Sequence, residues 1–345
     1  MNQLRALICL SPLLLASCGG PSASDYFSDY GKAGENVKTR KAISISSNNT
    51  TFDLGFVNQD GKTLRVTSKP MAFVFASDTI DASSFDNAGI AITMSRPTND
   101  LNTVSVTGTM LEESGWSGFS STSLKIGINA YLKNGGIYVD MTNSALLRAA
   151  INTLLAQRYE NAPTLATKDA LKVRDDIKTE INDNLPLTQY VSDSVADQVK
   201  AFGDMYTASS ESFAFSEDNG KKTISVSTSD KASVKALYEA LVPSTDTSID
   251  IDQYLSYCQT LSFSFSAVFV PTGVETISFA MNLDGFDLDK IKADHPDAKL
   301  FPVGPMKLGS TLTFAYDEAV SIHYLDFTDY KEIDLTDLKE KTTAA

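Results

Sequence analysis

The sequence predicts an α+β protein, a large antiparallel sheet of hairpins with an inserted helical lid packed on one face. Three observations predict it. Short runs in which apolar and polar residues alternate fill the chain up to residue 141 and return after residue 211, and a period of two marks half-buried strands. Asn134-Gly135 stands between two such runs, the strongest short-range hairpin signal. Residues 143–206 switch to apolar spacings of threes and fours, and consecutive helices with no strand between them are not βαβ crossovers.

The chain has 345 residues, 42% hydrophobic and 21% charged, which is enough to bury a sizeable core in one or two domains. Its formal net charge is -14, from 29 Lys and Arg against 43 Asp and Glu. A nucleic-acid backbone would be repelled, so no nucleic-acid partner is expected.

Met1 to Arg5 is a short basic segment and residues 6–16 are apolar apart from Ser11 and Pro12. That is too short to span a bilayer, which needs about 20 residues, and reads as a signal peptide. The Leu15-Ala16-Ser17-Cys18 run that follows resembles the lipobox of bacterial lipoproteins. The resemblance implies cleavage before Cys18, acylation of that residue, and a membrane partner through its acyl chains. It also implies a cell-envelope location facing away from the cytoplasm, at the outer membrane where one exists, given Gly19 after the cysteine. Cys9 would leave with the signal, and Cys258 would have no intrachain partner for a disulfide. Among apolar neighbours it reads as a small buried hydrophobe. The expected organisation is a signal peptide over 1–17, a lipidated cysteine and flexible tether over 18–36, a β-rich domain over 37–335 with helices inserted at 143–206, and a C-terminal tail over 336–345.

From Val37 the strands follow in order. Ile43–Ser47 alternates; Phe52–Val57 and Leu64–Thr67 face each other across residues 58–63; Met71–Phe75, Ile90–Met94 and Val104–Met110 continue a meander. Ser123–Leu132 and Ile137–Met141 flank the turn Lys133-Asn-Gly-Gly136. A helix with Asn143 or Ser144 as cap carries Leu146, Leu147, Ala150, Ile151, Leu154 and Leu155 on one face. A second helix is expected from Ala166 to Leu185, stopped by Pro186, and a third through Val191, Val195, Val199 and Phe202.

Strands resume at Ser212–Ser216 and Thr223–Thr228, followed by a helix capped by Asp230. Ser262–Val270 is the cleanest period-two strand, with Phe263, Phe265, Ala267 and Phe269 on one face; Pro271–Gly273 turns it into Val274–Leu283. Ser310–Tyr316 is expected to pair with Val320–Phe327.

The Asn-Gly-Gly turn into Ile137-Tyr-Val-Asp140, the helices after it and the closing Tyr324-Leu-Asp-Phe-Thr-Asp-Tyr330 stretch resemble the LolA/LolB and LprG/LppX envelope carriers of lipids and lipoproteins. That resemblance is one of layout, over roughly Val37 to Asp334. It implies a strongly curved sheet closed on its concave side by helices, with an apolar cavity between. The helix face of Leu147, Ile151 and Leu154 and the strand face of Phe263, Phe265 and Phe269 are the candidate walls, with direct packing of the two faces as the alternative.

Catalytic patterns are sparse. His295 and His323 are the only histidines, which leaves little material for a metal cluster or a triad. Gly115-Trp-Ser-Gly-Phe119 has Phe119 where a nucleophile elbow needs glycine. Asn282-Leu-Asp-Gly285 has Ala280 and Ile291 where a calcium loop needs its first and last carboxylates. No cofactor is expected, and the chain is not expected to be an enzyme. Three readings stay open, in this order: a carrier of a hydrophobic ligand such as a lipid or acyl chain; a scaffold lipoprotein with a solid core that binds an envelope protein; and, a distant third, an envelope hydrolase, which would need two buried carboxylates facing one cleft that no spacing in the sequence pairs.

Overall fold

The computed structural model describes residues 21–78, 85, 87–94, 101–112, 121–183, 187–241 and 251–340. Cys18, the signal peptide and Gly115–Phe119 lie outside them. Among the described residues the elements are, in chain order, helix α1 (Ala23–Val37), then strands β1 (Ile43–Val57), β2 (Thr63–Ser68), β3 (Met71–Ser77), β4 (Ile90–Thr93), β5 (Asn102–Thr107), β6 (Ser121–Ile126), β7 (Asn129–Lys133) and β8 (Gly136–Asp140). Next come α2 (Ala145–Arg158), β9 (Tyr159–Glu160), β10 (Lys168–Lys172), α3 (Asp175–Asp183) and α4 (Leu187–Ala208). The C-terminal part holds β11 (Phe213–Asp218), β12 (Lys221–Thr228), α5 (Lys231–Leu241), α6 (Ile251–Tyr257), β13 (Cys258–Val270), β14 (Gly273–Phe286), α7 (Leu288–Asp294), β15 (Phe301–Tyr316), β16 (Lys331–Asp334) and β17 (Lys339–Glu340).

The fold is α+β, as the sequence predicts, with a curved sheet of 15 strands among the described residues. Its main path runs β11-β12-β13-β14-β15-β1-β3-β4-β7-β8-β10-β16. Strand β1 is the branch point. One edge pairs with β15 along most of its length; the other pairs with β3 near Ile43 and with β2 near Val57. Register shifts between Ser46 and Thr51 bend it there, as bulges do. Pairing is antiparallel except between β10 and β16. The Asn134-Gly135 turn forms with both residues at positive φ, 49° and 73°, the backbone that this dipeptide favours.

The expected tether over residues 18–36 is corrected by α1. Ser22 and Asp25 form a reciprocal cap: Asp25 N donates to Ser22 Oγ, and Ser22 N donates to Asp25 Oδ2 at 2.7 Å. Tyr26, Phe27, Tyr30, Ala33 and Val37 recur at helical spacing, and all five are buried. A segment rich in Ser, Gly and Asp thus becomes a core helix because its few large groups fall on one face. The main core is the layer between α1 and α4 and the β11–β15 side of the sheet, centred on Tyr30, Phe202, Phe265 and Phe269.

Further expectations change. The strand foreseen over Ser123–Leu132 is two, β6 paired with β5 and β7 paired with β8. The helix foreseen over 166–185 splits into β10 and α3, because Asp169–Leu171 pair with Val139–Ile137 on one side and Lys331–Ile333 on the other. Val320–Phe327 is not a strand; β14 and β1 already hold both edges of β15, so the hairpin has no edge to form on. Within the expected tail, Lys339 and Glu340 pair with Glu160 and Tyr159. Of the three helices expected as a lid, α4 covers the main core together with α1, and α3 contributes Ile177 and Ile181 to a smaller cluster around Leu132 and Val173. Helix α2 leaves Leu154 63% exposed.

No helix among the described residues is long and apolar enough to cross a membrane.

Candidate functional site

An apolar cavity of about 750 Å³ lies between α4 and the β1/β13/β14/β15 part of the sheet. Period-two alternation builds its floor, since residues paired across neighbouring strands share a face. Phe265 pairs with Phe279, Phe263 with Met281, and Leu261 with Leu283. Ile277 pairs with Leu312, and Phe314 with Ile45. The roof is α4, whose Tyr190, Val191, Ser194, Val195 and Gln198 line the space, with Val234 of α5 and Leu255 of α6 at the side.

No charged side chain stands among the lining residues. The polar ones on α4 are largely engaged: Tyr30 Oη donates to Gln198 Oε1 at 2.6 Å, and Gln198 Nε2 donates to Ser194 Oγ at 3.1 Å. Burial holds the Tyr30 phenol far above its ordinary pKa, so it stays a neutral donor. With its hydrogen bonds used inside the wall, the cavity presents hydrocarbon to whatever enters. Its volume falls in the roughly 300–1,000 Å³ range of small-molecule sites. Tyr190 and Leu308, 55% and 37% exposed, stand where the lining meets solvent.

The six ligand-site residues expected from the sequence separate into two groups. Phe263 and Phe265 line the cavity. Phe269 lies on the same strand face but is covered by Tyr30, with ring centroids 5.0 Å apart. Leu147, Ile151 and Leu154 are not among the lining residues; Leu147 and Ile151 are half-buried and α2 is pinned to the chain near Leu165 through Asn152. The opposite wall is α4 instead. Sequence reasoning did not single out Ile277, Phe279, Met281, Leu312 or Phe314. Their signal was present in the alternation of 274–283 and 310–316, and needed only the strand register to place it beside Phe263.

Cys258 is buried at the edge of the cavity, its Sγ donating to Leu255 O at 3.5 Å. His295 meets the Tyr257 hydroxyl at 3.1 Å, and that hydroxyl also donates to Asp294 at 2.9 Å. The cluster ties α6 to the end of α7. Among the described residues no group of His, Cys, Asp and Glu is placed to hold a metal ion.

No family model and no curated protein matches the sequence. Among solved structures the chain is similar to the crystal structure of LprF from Mycobacterium bovis. That match has 9% identity and a TM-score of 0.26 and covers 89% of this chain and 99% of the other. At that level the likeness carries no functional weight, and the cavity itself is the guide to function.

Proposed function

We propose that this protein is an envelope lipoprotein that binds or carries a hydrophobic ligand, a lipid or acyl chain, in the cavity between α4 and the sheet, and that it is a binding protein and not an enzyme. One observation carries the reading: an uncharged, apolar-lined space of about 750 Å³ between α4 and the sheet. Close-packed interiors leave few voids larger than a water molecule, and an apolar void has a stability cost that a hydrocarbon guest offsets. A scaffold with a solid core gives no account of that space.

The anchor belongs to the same proposal. Should Cys18 be acylated, only residues 19–22 separate it from the first turn of α1. Four extended residues reach at most about 14 Å, so the domain would sit close to the lipid surface from which a ligand could be drawn.

Organic extraction and mass spectrometry of the purified protein, with melting curves in the presence and absence of fatty acid, test the ligand. A co-extracted lipid and a raised melting temperature are expected; an empty extract together with an unmoved melting temperature would refute the carrier reading. Cys18→Ala tests the anchor, with loss of membrane fractionation expected.

A further inference from the structure

A second apolar cavity, of about 510 Å³, lies on the other branch of the sheet, over β3, β4, β7 and β8 and beside Ile181 of α3 and Leu187 of α4. Tyr190 lines this space and the main cavity alike. The two floors are one surface: Phe314 pairs with Ile45, Ile45 with Phe75, Phe75 with Ile92, and Ile92 with Ala130. These residues form a single cross-strand row on one face of the sheet. Phe314 and Ile45 belong to the main cavity, and Phe75, Ile92 and Ala130 to the second. The boundary falls between β1 and β3, and the residue common to both sides is Tyr190, in the first turn of α4.

We propose that the two cavities are chambers of one trough divided by Tyr190, and that the second chamber takes a second hydrocarbon chain of the ligand whose first chain fills the main cavity. This rests on the carrier reading and adds the ligand's class, a lipid with two chains that diverge at Tyr190. Continuity of the floor argues for one occupant. The second chamber has no charged residue in its lining either, so neither side offers a partner for a polar head. The half-exposed Tyr190 ring marks where the head emerges. Ile92, 43% exposed on the rim of the second chamber, is an apolar side chain that a bound chain would cover, which removes its contact with water.

The test uses the full chain, palmitate as a one-chain probe and dipalmitoyl phosphatidylglycerol as a two-chain probe, with affinities read from melting-temperature shifts. Ala130→Trp places an indole in the second chamber, which obstructs it, and leaves the main one open. Palmitate affinity should be unchanged, and affinity for the two-chain lipid should fall by about tenfold or more, since each methylene displaced weakens burial. Undiminished two-chain binding by that variant overturns the proposal, as does an equal loss for both probes with the unliganded melting temperature intact. A structure of the wild-type chain with a chain-brominated two-chain lipid decides the matter even if the variant does not fold: bromine density on both sides of Tyr190 supports the proposal, and density in the main cavity alone refutes it. Wild-type protein that neither probe stabilises refutes the carrier reading itself.

Discussion

The phenol of Tyr30 donates a 2.6 Å hydrogen bond to Oε1 of Gln198, between two helices whose contacting residues are 168 apart in sequence. Both side chains are buried. This bond ties α1 to the roof of the cavity, so α1 is part of the domain's framework. Gly34 brings the same two helices close: a Cβ there would stand 2.6 Å from Val195 Cγ1.

Tyr30→Phe leaves a buried amide oxygen without its donor and should destabilise the fold by about 1–3 kcal/mol. Gly34→Ala forces α1 away from α4 and should have a cost of about the same size. Urea unfolding followed by circular dichroism measures both. Wild-type stability in both variants would mean that α1 behaves as the tether read from the sequence.

That tether shows where sequence reading stopped. Residues 19–36 hold Gly, Ser, Asp and Lys with only three large apolar groups, and a composition-led reading sees a linker. The spacing of Tyr26, Phe27 and Tyr30, with Ala33 and Val37 after them and the Ser22/Asp25 cap before, was legible as a helix. Most hairpins, and the Phe263/Phe265/Phe269 face, were legible because alternation and turn chemistry are local. What covers that face was not, because α2 and α4 both carry an apolar stripe and only the branching of the sheet at β1 decides which one lies over it. Val320–Phe327 failed for the same reason: its alternation is genuine, yet both edges of β15 are occupied.

Cys258 offers a direct report on the cavity. It is 3% exposed and lines the wall, so a charged, water-soluble thiol reagent should react slowly until the protein is unfolded. A small apolar maleimide can reach the thiol through the cavity, and palmitate at about ten times its Kd should slow that reaction about tenfold. Mass spectrometry of the modified peptide follows the rate. A rate indifferent to palmitate would place the fatty acid elsewhere.

Asp169 on β10 is buried, and Ala166 N donates to its Oδ1 at 3.0 Å. Loss of solvent pushes its carboxyl above the ordinary value, against the weaker opposing pull of that hydrogen bond and of Lys331 and Arg148. As pH rises past the ordinary carboxylate value the unfolded chain loses this proton before the folded one does, so stability falls across the window up to the raised folded value. Asp169→Asn keeps the acceptor oxygen and removes the charge. It should raise the melting temperature at pH 7 and converge with wild type below about pH 4, where both states are protonated. Equal stabilisation at both pH values would assign the effect to packing instead.

Leu312→Trp tests the main chamber from its floor. Leu312 pairs with Ile277 across β14 and β15, and both line the cavity. In a packed core the added rings would force neighbours apart and destabilise by about 1–3 kcal/mol. Here they have space to enter, so the unliganded melting temperature should hold or rise. Palmitate should then bind more weakly: each methylene kept out loses roughly 0.8 kcal/mol, and exclusion of two lowers affinity by more than about tenfold. The two effects separate the alternatives. A destabilised variant that still binds palmitate as wild type does would mean that the interior around Leu312 is already full and the ligand lies elsewhere; a stable variant that no longer binds locates the chain over the Phe263/Phe265 face.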